Sequence, residues 1–328
     1  MPAAVIGPDQ RIMAANEKFA QNIGMSLVGR HFITAFRQPM VIDAVESALQ
    51  TGQTVETEFH NRINGADISF DVHISAVGAA VLVTLTDRTG AETMDRMRRD
   101  FIANVSHELR TPLTALMGFI ETLRGAARND ADARDRFLAI MEQEAGRMTH
   151  LVDELMTLSK LEGIAHQQPD DKIMIGDVVS AVVAAMSTIA QSANVALDID
   201  TSDMTQVVRG DYKQLQQVLT NLIENAIKYG GQDKTVTLTV SPVTHQQSLR
   251  ADGIKISVSD QGSGIAPHHL ARLTERFYRV DNHRSRQVGG TGLGLAIVKH
   301  IVNRHRGRMK ISSTLGKGTT VDVYLPAQ

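Results

Sequence analysis

FIANVSHELRTPLTALMGFIETL, residues 101–123, is the stretch from which the rest of this chain is best read. Phe101, Val105, Leu109, Leu113, Leu116 and Ile120 recur every three or four residues and make one apolar stripe on an α-helix. His107 lies two residues from both Val105 and Leu109, about 200° of helix rotation, so its ring is expected to face water. Glu108 and Arg110 flank it, and Thr111, one turn on, shares its side of the helix. Pro112 removes a backbone donor and is expected to bend the helix just past this group. An exposed imidazole beside a carboxylate, a hydroxyl and a helix distortion has the makings of a reactive site. A chance histidine on a solvated face is the blander alternative.

Taken whole, FIANVSHELRTPLTAL resembles the phosphoacceptor box of sensor histidine kinases, and of the twelve histidines only His107 stands in such a setting. LTDRTGAETMDRMRRD, 85–100, leads in as a charged helix whose Met94 and Met97 continue the stripe. GAARNDADA, 125–133, reads as a turn, and a second helix is expected over 134–162, with Phe137, Met141, Met148, Leu151, Leu155 and Leu158 near heptad spacing. Two such helices cannot bury both apolar stripes as an isolated hairpin, whereas two copies make a four-helix bundle, so a homodimer is expected. A hairpin packed on its own neighbouring domains is the alternative.

Residues 1–90 read as a small α+β module. A short strand at 3–6, a GPDQ turn and short helices precede extended segments at 55–63, 68–75 and 80–86, with NGAD at 64–67 as a hairpin turn. The order resembles a PAS domain, with IMAANEKFAQNIGMSLVGRHF like its first strand and helices. That resemblance implies a sensory or dimerisation role. The residues carry no ligand signature, and neither His31 nor His73 stands in a pattern that marks haem ligation.

After the polar linker HQQPDDK, 166–172, an α/β pattern runs onward. Helices are expected at 176–192, 211–229 and 292–306, and strands at 195–199, 206–209, 235–241, 253–259, 308–313 and 319–325, enough for one mixed sheet covered by helices. Four separated segments carry chemistry. In LTNLIENAIKYG, Asn221 and Asn225 share a helical face with Lys228 one turn beyond, setting amide oxygens suited to a hard cation beside an ammonium suited to phosphate. In DQGSGI, Asp260 closes a strand, and Gly262 and Gly264 form a tight turn that lets the backbone approach a flat ligand while the carboxylate accepts an amino hydrogen bond. RFYRVDNHRSRQVGG, 276–290, reads as a basic lid, and GGTGLGLAIVKHI turns from glycines straight into a helix N-terminus, where anions bind. Each alone is weak, since glycine turns are usually just turns. All four in this order resemble the N, G1, F and G2 boxes of the histidine-kinase ATPase domain, the Bergerat fold of the GHKL superfamily. LGKGTT at 315–320 lacks the first glycine of a Walker A loop, and the glycines at 290, 292 and 294 miss the dinucleotide-fingerprint spacing.

Composition bounds the remaining classes. With 34 basic and 36 acidic residues the net charge is −2, so no nucleic-acid partner is indicated. The absence of cysteine excludes disulfides, thiolate zinc sites and a cysteine nucleophile. No apolar run reaches the roughly 18 residues of a spanning helix; the longest, 178–190, is interrupted by Ser180, Ser187 and Thr188. The chain is therefore expected to be cytoplasmic with no membrane insertion of its own, any anchor lying upstream of residue 1.

The kinase resemblance spans residues 98–328 and implies a multidomain α+β protein: a PAS-like module over 1–90, a dimeric phosphotransfer hairpin (four-helix bundle) over 91–165 and a Bergerat-fold α/β sandwich over 170–328. It implies ATP and Mg2+ as cofactors, with Asn225 as metal ligand, Asn221 nearby, and Lys228 and Arg279 on phosphates. Tyr229 would lie by the nucleotide and Asp260 would hold the adenine amino group, with Gly262 and Gly264 in its turn. Phe277 would belong to the lid, and Gly290, Thr291, Gly292, Leu293 and Gly294 would run along the phosphates. His107 would attack the γ-phosphoryl group, Glu108 would bind the other ring N–H, and the group would then pass to an aspartate on a response regulator receiver domain. Thr111 would serve hydrolysis of the regulator's aspartyl phosphate; the competing reading has its hydroxyl satisfying a carbonyl at the bend. Within the family, the helical strings resemble phosphate-regulon sensor kinases. An ATPase that only switches conformation and a scaffold with a silent core are the alternative functions.

Overall fold

Phenylalanines fill the first of two units into which the chain divides, Met1–Ser106 and His107–Gln328. The computed structural model describes residues 1–23, 27–63, 65–164, 167–201, 204–246, 249, 251–280 and 290–327. In the first unit, β1 (Ala3–Ile6), β2 (Ile12–Ala15), β3 (Val55–Ile63), β4 (Ala66–Val77) and β5 (Ala80–Asp87) make an antiparallel sheet in the order β2-β1-β5-β4-β3. Period-two alternation turns Phe70, Val72 and Ile74 of β4 and Val81, Val83 and Leu85 of β5 into the core, each at most 2% exposed. Helices α1 (Glu17–Ile23) and α2 (Pro39–Thr51) supply the other layer, and Phe36 meets Phe19 and Phe59 edge-on at 5.9 and 5.0 Å between centroids. Asn16 opens α1: its Oδ1 accepts from Phe19 N at 2.9 Å and from Ala3 N at 3.1 Å, tying helix to sheet. The expected hairpin turn is present, with Ile63 opposite Ala66 and Gly65 at φ 83°; Asn64 lies outside the described residues.

Helix α3 (Thr89–Arg124) runs through Pro112 as one helix. The Thr111 hydroxyl donates to His107 O at 3.2 Å beside that proline. This is the bond of the competing reading of Thr111, and it does not remove the residue from the face it shares with His107. Helix α4 (Ala131–Gly163) starts earlier than the apolar spacing predicts, because Asp130 Oδ1 accepts from Ala133 N at 2.9 Å and caps it. The Phe119 and Phe137 rings, 5.3 Å apart, join the two helices.

The remaining elements are β6 (Asp171–Met174), α5 (Ile175–Ser192), β7 (Ala196–Thr201), β8 (Val207–Gly210), α6 (Tyr212–Gly230), β9 (Thr235–Gln246), β10 (Ala251–Ser259), α7 (Pro267–Leu270), α8 (Gly294–Arg304), β11 (Arg308–Thr314) and β12 (Gly318–Pro326). Five of the strands form a mixed sheet in the order β11-β12-β10-β9-β7, in which only β7–β9 is parallel. The expectation of a single sheet is corrected on one point: β8 pairs instead with β6, whose first residues fall in the stretch read as linker. A four-residue apolar strand shows by periodicity that it is a strand but not which neighbour it joins. Helices α5, α6 and α8 pack on the sheet, and α4 packs against α8. Among the described residues α5 is the one helix long and apolar enough to cross a membrane, and its Val178, Val182, Met186 and Ala190 are buried in this unit.

Candidate active site

Helix α6 is set by its cap. Asp211 Oδ1 accepts from Gln214 N at 3.1 Å, while Asp211 N donates to Nε2 of the buried His305 at 3.0 Å. His305 Nδ1 stands 2.8 Å from Ile301 O, so the two bonds together need a neutral ring protonated on Nδ1. Burial lowers the pKa of His305 and favours that state. With Leu215, Val218, Leu219, Leu222 and Ile223 buried against the sheet, α6 turns Asn221, Asn225 and Lys228 into a cavity of about 370 Å3.

Asp260, following β10, lines the same cavity. Its Oδ1 accepts from Gly262 N at 2.8 Å and Thr319 N at 3.2 Å, which leaves Oδ2 without a partner among the described residues. Burial raises the Asp260 carboxyl above its usual range, against those two bonds. Tyr229 borders the same space, as do Gly264, Gly290, Thr291, Gly292 and Gly294. The start of α8 touches the asparagines: Asn221 Nδ2 donates to Gly294 O at 3.3 Å, leaving its Oδ1 as an acceptor.

Three of the residues expected along the nucleotide do not line the cavity. A Cβ on Gly262 would stand 2.2 Å from Tyr229 O, so this glycine lets the turn seat against the end of α6 rather than against a ligand. Phe277, at φ 62°, donates its N–H to Gly292 O at 2.9 Å and joins the F and G2 segments through backbone. The Leu293 side chain is fully buried core, and its N–H donates to Thr291 Oγ1 at 3.3 Å. Residues 281–289, the middle of the expected lid, lie outside the described residues.

His107 is exposed and does not line the cavity either. Glu108, expected beside its ring, instead accepts on Oε2 from Arg279 Nη2 at 2.9 Å, with Arg147 Nη2 3.7 Å away. Arg279, expected on phosphate, is 4% exposed, and its Nε has no partner among the described residues. Lys228 Nζ lies 3.7 Å from Glu224 Oε2. Sequence reasoning overlooked Glu224, which stands in the quoted string just before Asn225, and also His150 and Glu154 of α4, which line the cavity. For Glu154 the signal was available: Leu151, Glu154, Leu158 and Leu161 fall on one helical face, a carboxylate in an apolar row. The donor set fits a nucleotide with a hard cation, in that amide oxygens, an ammonium, a buried guanidinium N–H and a half-satisfied carboxylate converge on one space.

Residues 97–164 match the His Kinase A (phospho-acceptor) domain, and residues 210–328 match the histidine kinase-, DNA gyrase B- and HSP90-like ATPase family. The phosphate regulon sensor protein PhoR of Pseudomonas aeruginosa is 38% identical over 248 residues, 75% of this chain and 54% of that protein. The sensor histidine kinase WalK of Bacillus subtilis is 36% identical over 286 residues, 87% of this chain and 46% of that protein. The structure of full-length ShkA in complex with AMPPNP matches at a TM-score of 0.50 and 26% identity, covering 70% of this chain and 46% of that one. The chain thus spans about half the length of these curated relatives. With a phosphoacceptor helix pair joined to this ATPase domain, the chain belongs to the sensor histidine kinases.

Proposed function

We propose that the chain autophosphorylates on His107 from ATP and passes the phosphoryl group to an aspartate of a response regulator receiver domain. The observation that carries this is the meeting of Asn225, Lys228, Asp260 and the start of α8 on one cavity, in a chain whose α3 presents an exposed His107. Asp260 Oδ2 receives the adenine amino group, Tyr229 borders the base, and Lys228 and Arg279 meet phosphate oxygens. Asn225, with Asn221 alongside, would hold Mg2+, which would supply charge to offset the phosphates. A ring nitrogen of His107 attacks the γ-phosphorus; the N–P bond forms as the bond to the β–γ bridging oxygen breaks and ADP leaves. Glu108 holds the other ring N–H and stabilises the charge that develops on the imidazole. Most of the acceleration is positioning and electrostatics. Since His107 does not line the cavity, transfer requires the hairpin to shift on the ATPase domain or a second protomer to deliver its own histidine.

The second protomer is part of the reading. Leu113, Met117, Leu138, Val152 and Met156 of the hairpin are exposed large apolar side chains, and a four-helix bundle of two copies buries such a surface. Residues 1–90 act as a PAS-like sensory module, 91–165 as the phosphotransfer hairpin and 170–328 as the catalytic domain. Thr111, one turn from His107, serves the hydrolysis of the regulator's aspartyl phosphate. The likeness to PhoR and WalK supports phosphate-regulon or related signalling at the cytoplasmic face, where ATP is available. Incubation with γ-labelled ATP tests the core of this reading: label retained on protein supports it, phosphate released without label indicates a switching ATPase, and neither indicates a silent scaffold.

A further inference from the structure

We propose that Glu154 of α4 is a residue of the nucleotide site whose carboxylate stands where phosphate oxygens go, so that it limits how tightly the site holds a triphosphate while α4 is docked. The proposal rests on reading the cavity as an ATP site. Helix α4 buries Leu151, Leu158 and Leu161, and Glu154, on the same face, enters the cavity that Asn225 and Asp260 line. Glu154 is 7% exposed, and its Oε2 has no partner among the described residues. A buried, half-satisfied carboxylate is costly to the fold and calls for an explanation.

Its neighbours give one. The Thr291 hydroxyl, which accepts from Leu293 N at 3.3 Å, borders the same cavity and favours the charged form of Glu154. Lys228 attracts that carboxylate and Glu224 repels it, while His150 Nε2 lies 3.6 Å from Oε1. Burial dominates and raises its pKa. A hydroxyl at the start of a glycine-flanked helix and an ammonium are the partners an anionic phosphate oxygen would take. The other cations at this end are likewise held by carboxylates of the chain, Lys228 by Glu224 at 3.7 Å and Arg279 by Glu108 at 2.9 Å. A polyphosphate entering beside Glu154 meets like charge where little water screens it.

Titration calorimetry of the dimeric chain and its Glu154→Gln variant with Mg·ATP, Mg·ADP and adenosine tests this. The variant keeps the side-chain shape, so its melting temperature should equal or exceed that of the wild type. It should bind Mg·ATP roughly tenfold more tightly, Mg·ADP with a smaller gain and adenosine unchanged. Glu154→Ala, which removes the charge by another route, should shift Mg·ATP affinity in the same direction. Equal Mg·ATP affinity in wild type and both variants overturns the proposal, and weaker binding in the variants overturns it in favour of a carboxylate that serves the ligand. A wild type that binds none of the three ligands overturns the nucleotide reading itself.

Discussion

Replacing Asp260 by asparagine separates what this side chain does for the fold from what it does for a ligand. An asparagine oxygen can keep both bonds now made by Oδ1, at 2.8 Å from Gly262 N and 3.2 Å from Thr319 N. The other atom changes from a carboxylate oxygen to an NH2 donor facing the cavity. Burial raises the Asp260 carboxyl above its ordinary 3.8, so the folded state binds the proton more tightly than the unfolded chain does. A raised pKa contributes stability below the unfolded value that is lost as pH rises through the folded value. At pH 7 the ionised carboxylate therefore destabilises the fold, and Asp260→Asn should melt at or above the wild-type temperature, with the difference shrinking as the pH falls towards 4. Binding should move the other way. The variant loses a hydrogen bond to a charged acceptor, about 1.5–3 kcal/mol, and sets donor against donor, about 1–3 kcal/mol more. Together these weaken Mg·ATP roughly a hundredfold or more. Calorimetric titration paired with melts between pH 4 and 8 reads both effects. A dissociation constant within threefold of wild type would refute the adenine assignment, and a melt several degrees lower would show that the charge itself holds the turn.

His107→Gln should abolish incorporation of acid-labile, base-stable label from γ-labelled ATP while Mg·ATP binding persists; label that survives the substitution sinks the assignment of the phosphoacceptor. Thr111→Ala should keep autophosphorylation near normal and slow dephosphorylation of the regulator, whereas equal loss of both would mean that its bond to His107 O, seen at 3.2 Å, shapes the helix. Met117→Glu places a charge on the exposed apolar face of the hairpin and should shift the chain from dimer to monomer in sedimentation at micromolar concentration. An unchanged dimer would move the interface to another surface.

Much of this architecture could be read from local rules. The spacing of Phe101, Val105 and Leu109 marks a helix whose opposite side carries His107, and the folded chain leaves that histidine exposed. The strings holding Asn221, Asp260 and Gly292 could be recognised separately, because each carries its chemistry within a few consecutive residues, and the fold brings all three to one cavity. What the sequence could not supply was how each segment's neighbours use it. Gly262 reads as a ligand-facing glycine until Tyr229 O is found where its Cβ would stand, 2.2 Å away. Leu293, within the glycine string, is core: it caps α8 from the preceding position with its side chain fully buried. The strand β8 reads as a strand on its own residues, but its partner β6 lies across a helix and another strand.

Glu108 shows the same gap at the centre of the chemistry. Its neighbour in sequence is His107, which makes a histidine–carboxylate pair the natural reading, yet successive residues on a helix point about 100° apart and do not face each other. Glu108 is turned towards α4 and the start of the F segment, where Arg147 and Arg279 supply positive charge. Taking Glu108 away from the 4%-exposed Arg279 would leave a buried guanidinium uncompensated, a penalty of about 3–5 kcal/mol unless another anion takes its place. The contact is therefore more than a surface ion pair. On the proposed transfer, Arg279 would have to be offered a phosphate oxygen before Oε2 of Glu108 could leave it and turn to His107, so a bound triphosphate would be a condition for that step as well as the source of the group transferred.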